Sequence, residues 1–218
     1  MAMAMCMEHT KTMRFGPCVT NPNTRDWSVA ASMFASLAHQ SGGRFDIGLG
    51  RGDSAVRVMG QKPAPLSRVT EFTHKIKAMV RGEKVMYGEC AEPVKFTWAT
   101  GYELPVWIAA YGPMALKCAG ENGDGLVLQI AEPGICKWLG DQAITAGEAA
   151  GRNMSNFRIM SAAPAMTGTM DDCVERTKWF PAMVGNHVAD IVEKYGVDND
   201  LVPQSLTTYI EKRHGYDY

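Results

Sequence analysis

The sequence of 218 residues lacks several features that assign proteins to a class. It contains no apolar run near the roughly 20 residues that a membrane-spanning helix needs. Neither sign of charge is in excess: 22 Lys and Arg stand against 23 Asp and Glu, a net charge of −1, and the charges are dispersed. This balance gives no electrostatic reason to expect binding to nucleic acid or to an anionic membrane.

Paired cysteines are also missing. The six cysteines lie far apart, form no C-x-x-C pair and have no histidine at ligand spacing, so we expect neither a disulfide framework nor a metal site. Reduced thiols of this kind favour a cytoplasmic location. The first residues, MAMAMCMEH, lack a basic leader and a long apolar block, so we interpret them as one face of a helix and not as a signal peptide.

Short apolar runs alternate with amphipathic stretches along most of the chain, which predicts βαβ units and a mainly parallel sheet. The predicted strands are Thr12–Val19, Arg44–Leu49, Val106–Ala110, Gly125–Gln129 and Phe157–Ala163. Residues 83–104 fit neither the helical nor the strand period and are predicted to form an inserted loop or small hairpin.

Capping and breaking residues mark the predicted helices. Asp26 offers an N-cap to a helix that Gly42-Gly43 ends. Further helices are predicted after Pro65, from Pro113 to Asn122, from Pro133 to about Ala150, and after a cap at Asp171 or Asp172. In the helix that Asp26 caps, the predicted apolar face consists of Val29, Ala30, Met33, Phe34 and Leu37.

The segment Ser41–Asp53, SGGRFDIGLGRGD, ends the second predicted strand with glycine at alternate positions. Because glycine has no side chain, the backbone amides at this strand end are predicted to be accessible to a ligand. With the Asp53 carboxylate beside them, the segment is typical of a cofactor site. Two architectures place a ligand at the carboxyl ends of parallel strands, a doubly wound sheet and a (β/α)8 barrel. The dinucleotide fingerprint requires Gly or Ala at position 53 and a helix that begins immediately after it. The residue here is Asp53, and Ser54–Ala64 is predicted to be a loop, so a Rossmann site is disfavoured.

Four stretches carry a resemblance to a known family: FGPCVTNPNTRD (15–26), SGGRFDIGLGRGDS (41–54), LPVWIAAYGPMALKCAGENGDGLVL (104–128) and QIAEPG (129–134). In order and spacing they resemble the luciferase-like monooxygenase superfamily, in the branch of F420-dependent oxidoreductases and methylenetetrahydromethanopterin reductase-like enzymes. The resemblance implies an α/β fold of the (β/α)8 TIM-barrel type that binds F420 or FMN at the carboxyl ends of its strands. It also implies oxidoreductase chemistry, either hydride transfer with F420 or monooxygenation by reduced FMN.

The length is short for such a barrel, which has eight strands and usually about 250 residues. Five strands are predicted here. By comparison with the family, we expect residues 1–218 to form a single barrel domain without its first two units and its last, and open sheet edges predict pairing with another copy of the chain.

The resemblance assigns a cofactor-ring region and a phosphate region. At the end of the first predicted strand it implies a cis Cys18-Val19 peptide bond that forms a bulge behind the ring. Asp53 matches an acidic position that contacts the cofactor or acts as an acid, so it is the candidate catalytic residue. The helix start at Gly112 suits a phosphate. The implied cofactor contacts are Cys18, Val19, Thr20, Gly50, Arg51, Gly52, Ala110, Tyr111, Gly112, Gln129 and Ile130.

The histidines receive no catalytic role. His39 and His74 are predicted to be surface residues, and His187 and His214 fall in a tail whose pattern is weak. In the family a catalytic histidine commonly comes from the first strands, which this sequence does not show.

The sequence therefore favours an oxidoreductase that acts on a small organic molecule, as a homo-oligomer. FMN chemistry would add a flavin reductase as a partner. Two alternatives stay open: a non-catalytic flavin-binding protein or inactive fragment of such an enzyme, and an NAD(P)-dependent dehydrogenase.

Overall fold

The computed structural model describes residues 1–99 and 101–195, so His214 lies outside the described residues. The helices within them are α1 (Ala2–Glu8), α2 (Trp27–Ser41), α3 (Asp53–Arg57), α4 (Leu66–Val80), α5 (Pro113–Asn122), α6 (Pro133–Ala149), α7 (Met170–Thr177) and α8 (Trp179–Tyr195). The strands are β1 (Ile47–Leu49), β2 (Val106–Ala109), β3 (Gly125–Leu128) and β4 (Arg158–Ser161).

The strands form one sheet in the order β1-β2-β3-β4. β1 and β2 pair in parallel, with Ile47 opposite Val106 and Leu49 opposite Ile108. A doubly wound sheet reverses its direction of growth at a switch point, whereas these strands follow one another in chain order, as in a (β/α)8 barrel. The predicted barrel type is thus confirmed over the doubly wound alternative.

The described residues divide into two compact units, the first within residues 1–109 and 122–125 and the second within residues 110–121 and 126–195. In the first unit, α2 packs against α4, and the buried Phe34 and Phe45 rings lie 5.7 Å apart. The predicted N-cap is confirmed, because Asp26 accepts the Ser28 amide hydrogen at 2.8 Å. Gly42 ends α2 at φ 64°, a conformation that glycine adopts without strain.

The predicted apolar face of α2 is partly wrong. Ala30, Phe34 and Leu37 are buried, but Val29 and Met33 are 60% and 40% exposed. The buried face of this helix instead includes Ala31, Ala35 and Ala38. Their small side chains let neighbouring segments approach the helix closely, so this side is buried and the side of Val29 and Met33 is not.

Three further expectations need correction. Within the described residues there are four strands and not five, because Thr12–Val19 forms only one isolated parallel bridge, Phe15 with Phe45, and a second follows it at Thr20 with Leu49. Pro17 lacks the N–H that a continuous ladder requires. The loop predicted after Asp53 begins with the short helix α3, and the cap of α7 is Thr169, whose hydroxyl accepts the Asp172 amide hydrogen.

Between α4 and β2 the chain is irregular, and Val85 and Val94 form an isolated antiparallel bridge there. At the amino end of β2, the Asp124 carboxylate accepts the Val106 amide hydrogen at 2.8 Å and pairs with the Lys77 ammonium at 2.6 Å. These contacts tie α4 and the start of β3 to β2. Among the described helices, none is long and apolar enough to cross a membrane.

In the second unit, α5 and α6 approach closely through glycine. A Cβ atom on Gly120 would collide with the Ala143 carbonyl group, and the Arg152 guanidinium donates to the Gly120 carbonyl oxygen. β4 is exposed along its whole length. On α8, Tyr195 packs edge-on against Trp138 (ring centroids 4.8 Å apart) and donates to the Gln142 side-chain oxygen at 3.2 Å.

Replacement of Asp124 by Ala is expected to lower the free energy of unfolding by about 2 kcal/mol, because the Val106 amide and the Lys77 ammonium lose their acceptor. Asp141, which forms an exposed ion pair with Lys137 on α6, is the matched control, and Asp141→Ala is expected to change stability by less than about 0.5 kcal/mol. Urea unfolding of both variants measures the difference. Equal losses would contradict a structural role for Asp124.

Burial raises the pKa of Tyr195 to about 12. The neutral phenol is therefore favoured in the folded chain, and its stabilising contribution is complete below the unfolded value of about 10 and lost as the pH rises through about 12. Ultraviolet titration of tyrosinate is expected to show a late component that Tyr195→Phe removes and Tyr87→Phe retains. A curve unchanged by Tyr195→Phe would contradict this assignment.

Candidate functional site

The predicted site residues fall into two groups, one in each unit, and lie beside or after β1 in the first and after β2 and β3 in the second. The first group, in the first unit, is Cys18, Val19, Thr20, Gly50, Arg51, Gly52 and Asp53. The second group, in the second unit, is Ala110, Tyr111, Gly112, Gln129 and Ile130. We describe each group by itself.

Residues 15–20 run beside β1 and contain a bulge. The Phe15 carbonyl oxygen accepts the Asp46 amide hydrogen, and the Pro17 carbonyl oxygen accepts that of Gly48. The next contact in this register would belong to residue 19, but Thr20 makes it instead, donating its own amide hydrogen to the Gly48 carbonyl oxygen at 2.8 Å. One extra residue therefore lies between the paired positions, which defines a bulge.

The Cys18-Val19 peptide bond within this bulge is cis, which confirms the conformation that the resemblance implies. The Val19 side chain is 44% exposed, and burial raises the pKa of the Cys18 thiol, which favours its neutral form. The bulge therefore presents an apolar group and an uncharged thiol at the end of β1. Its contact with a cofactor ring stays a prediction.

Gly48 in β1 and Gly50 just after it make room for this bulge. A Cβ atom on Gly48 would lie 3.0 Å from a Val19 methyl carbon, and one on Gly50 would lie 3.1 Å from the other. The Gly48 and Gly50 amides already donate to the carbonyl oxygens of Pro17 and Thr20, at 2.8 and 2.9 Å. The expectation that these two amides are open to a ligand is therefore wrong, since the chain's own bulge occupies them.

Gly52 is shaped by a buried asparagine. Its φ is +85°, and a Cβ atom there would lie 2.8 Å from the Asn21 side chain. Asn21 is only 7% exposed, and its side-chain oxygen accepts the amide hydrogens of Asn23 and Thr24 at 3.0 and 3.1 Å. Asn21 thus holds the turn after the bulge, a role that the sequence prediction missed although Asn-Pro marks a turn.

Asp53 is the first residue of α3, and its carboxylate forms an ion pair with Arg57 one turn later. Both side chains are about half exposed. In this pair the Asp53 carboxylate accepts from the Arg57 guanidinium, and its contact with a cofactor or role as an acid stays a prediction. Arg51 is held nearby, because its side chain donates to the Ala64 carbonyl oxygen at 2.7 Å.

In the second group, Tyr111 and Gln129 are in direct contact. The Gln129 amide donates to the Tyr111 hydroxyl at 2.8 Å. The Ala110 and Ile130 side chains are buried, 2% and 3% exposed, and the Ile130 carbonyl oxygen accepts from the Ser161 hydroxyl. Tyr111 and Gln129 are partly exposed, whereas Ala110 and Ile130 are buried, and contact of any of the four with a cofactor stays a prediction.

Two residues of α8 join this group, and the sequence prediction missed both. The His187 ring stacks on the Tyr111 ring, with centroids 4.1 Å apart and planes at 11°, and its Nε2 lies 3.2 Å from the Gln129 side-chain oxygen. The Lys194 side chain crosses Gly112, where a Cβ atom would lie 2.6 Å from Lys194 Cδ. The available signal was the polar pair Asn186-His187 inside the apolar stripe of Val184, Val188 and Ile191.

Metal ligation finds no support here. In residues 1–99 and 101–195, no three His, Cys, Asp or Glu side chains come together as possible metal ligands.

Strands that follow one another in chain order and are joined by helices, with β1 and β2 in parallel, are the arrangement of a barrel-type α/β protein. The chain belongs to the luciferase-like monooxygenase family, whose family model matches residues 1–216.

Curated relatives are similar over most of this chain. It is 30% identical over 199 residues to 5,10-methylenetetrahydromethanopterin reductase of Methanolobus tindarius. The alignment covers 87% of this chain and 60% of the relative. It is 30% identical over 163 residues to the F420-dependent hydroxymycolic acid dehydrogenase of Mycobacterium tuberculosis, covering 70% of this chain and 45% of the relative. The chain thus spans at most about 60% of the length of these relatives.

Solved structures agree on the fold. The coenzyme F420-dependent tetrahydromethanopterin reductase from Methanopyrus kandleri superposes with a TM-score of 0.69 at 23% identity, over 98% of this chain and 70% of that one. An F420-dependent secondary alcohol dehydrogenase superposes with a TM-score of 0.68 at 21% identity, over 97% of this chain and 66% of that one. The luciferase-like TIM-barrel fold is thereby confirmed.

Replacement of Gly52 by Ala is expected to lower the free energy of unfolding by about 2 kcal/mol or more. The added Cβ atom makes the positive φ of this residue unfavourable, and it also collides with the Asn21 side chain. Gly60 is the matched control, since its φ is +69° and no atom lies within 4 Å of the Cβ position, so Gly60→Ala is expected to cost about 1 kcal/mol. Urea unfolding compares the two variants. An equal cost at both positions would show that Asn21 does not constrain this turn.

Proposed function

We propose that this protein is an F420-dependent oxidoreductase that transfers hydride to or from a small organic substrate. The observation that carries the proposal is the position of its polar residues. They directly follow β1, β2 and β3, in a chain whose relatives include enzymes named as F420-dependent at about 30% identity.

The second group suits the phosphate of such a cofactor. The Lys194 side chain lies over Gly112, at the amino end of α5, where the helix dipole is positive. The Tyr111 hydroxyl and the Gln129 carboxamide add hydrogen-bonding groups beside it. An ammonium group, a hydroxyl and a carboxamide form a donor set that fits a phosphate, so we assign this group to the phosphate end.

The bulge of the first unit suits the ring system. F420, when bound, supplies a deazaflavin that accepts or donates hydride. The exposed Val19 methyl groups offer an apolar surface for one face of such a ring, and the neutral Cys18 thiol adds no charge. Asp53, whose carboxylate is paired with Arg57, is assigned as a hydrogen-bond acceptor for the cofactor.

FMN is the second cofactor that the family permits. Solved neighbours include FMN-containing monooxygenases, such as the oxygenating constituent of 3,6-diketocamphane monooxygenase from Pseudomonas putida, at 16% identity. FMN chemistry would require a flavin reductase as partner. Since the F420-named relatives are about 30% identical, we favour F420. We also propose a homo-oligomer in the cytoplasm, the former supported by the exposed Ile159 and Met160 of β4.

Titration with F420, FMN and NADPH, followed by absorbance and fluorescence, is expected to show binding of F420 with higher affinity than FMN. Lys194→Ala is expected to weaken F420 binding about tenfold or more, since a charge-assisted contact with phosphate is lost. Lys137→Ala, which removes an exposed lysine of α6, is expected to leave the affinity unchanged.

The same titration separates the alternatives. Binding of NADPH alone, or of none of the three, would overturn the proposal. Tight F420 binding without oxidation or reduction of any alcohol or ketone tested would identify a binding protein. With turnover established, Asp53→Asn tests the acceptor role, and unchanged affinity and rate would remove Asp53 from the site.

A further inference from the structure

We propose that His187 is a positioning residue that fixes Tyr111 and Gln129 for cofactor binding. This inference rests on the proposed function and assigns to that site a residue of α8 that the motifs did not indicate. The three side chains come from three different segments, the exits of β2 and β3 and the middle of α8.

The contacts among the three residues form a closed cycle. His187 stacks on Tyr111 with nearly parallel rings, the Tyr111 hydroxyl accepts the Gln129 amide hydrogen, and Gln129 returns to His187 through its side-chain oxygen. Each residue is therefore held by the other two. Removal of one member releases two contacts and not one, so the cycle behaves as a unit.

The hydrogen-bond chemistry sets the orientation of the carboxamide. A carboxamide oxygen only accepts, so we assign to His187 the tautomer that carries a proton on Nε2 and donates across the 3.2 Å contact. With its oxygen held by His187, the Gln129 side chain directs its NH2 group away from the imidazole. The backbone amide of Gln129 is already bound to Tyr111, so the carboxamide is the group by which Gln129 contacts a phosphate.

Pre-organisation is the advantage that His187 supplies. A tyrosine and a glutamine that are already immobile lose little rotamer freedom when the ligand binds. Without His187, both side chains must be ordered by the cofactor itself, and the affinity falls while the chemistry of the donors stays the same.

The test separates the two contacts of the imidazole. His187→Phe keeps the stacked ring and loses the donor, and His187→Gln keeps a donor and loses the stack. Each is expected to weaken cofactor binding about threefold to tenfold, and His187→Ala by about tenfold or more. His39→Ala, on the exposed side of α2, is the control and is expected to leave the affinity unchanged.

A double-mutant cycle with Tyr111→Phe measures the coupling. Non-additive losses of affinity for F420 in the His187→Phe/Tyr111→Phe pair are expected, with melting temperatures recorded for every variant. A merely structural His187 would lower the melting temperature and leave the affinity of the folded protein intact.

Unchanged affinity in His187→Ala, or additive losses in the cycle, would overturn this inference while wild-type binding upheld the proposed function. Absence of F420 and FMN binding to the wild-type protein would overturn the proposed function and, with it, this role.

Discussion

Backbone pairing between residues 15–20 and β1 is the constraint on which the first unit's site depends. The pairing advances by one extra residue between Pro17 and Thr20, and Cβ atoms on Gly48 and Gly50 would crowd it, at 3.0 and 3.1 Å from the Val19 methyl carbons. Because the two β1 amides are used in this pairing, the end of the strand presents the bulge and its Val19 side chain. The exit of β1 is therefore a packed surface and not an open row of donors.

In the second unit the candidate site is held together mainly by side-chain contacts. Tyr111 and Gln129 follow different strands, and α8 connects them through the stacked His187. Lys194 lies two turns further along α8, which places it on the same face of that helix, beside Gly112. One helix thus brings an aromatic contact, a hydrogen-bond donor and a cation to the residues that follow two strands.

Local signals predicted most of the elements well. The caps at Asp26 and Gly42 and the proline before α4 are short-range features, because each depends on backbone groups within a few residues. The predicted strand Thr12–Val19 failed for a related reason. Its apolar pattern is that of a strand, but Pro17 and the bulge interrupt the ladder, and only the partner strand reveals how the amides pair.

By itself, the sequence determined the alternation of strands and helices and the positions after β1, β2 and β3 where polar residues lie, and its resemblance to a known family implied the barrel type. It also implied the cis Cys18-Val19 bond, through the family resemblance. Tertiary structure alone decided that the β1 glycines serve the chain's own bulge and that His187 meets Tyr111, 76 residues earlier in the chain. The physical reason is range: periodicity and caps act within one element, whereas stacking and pairing depend on which distant segments the fold brings together.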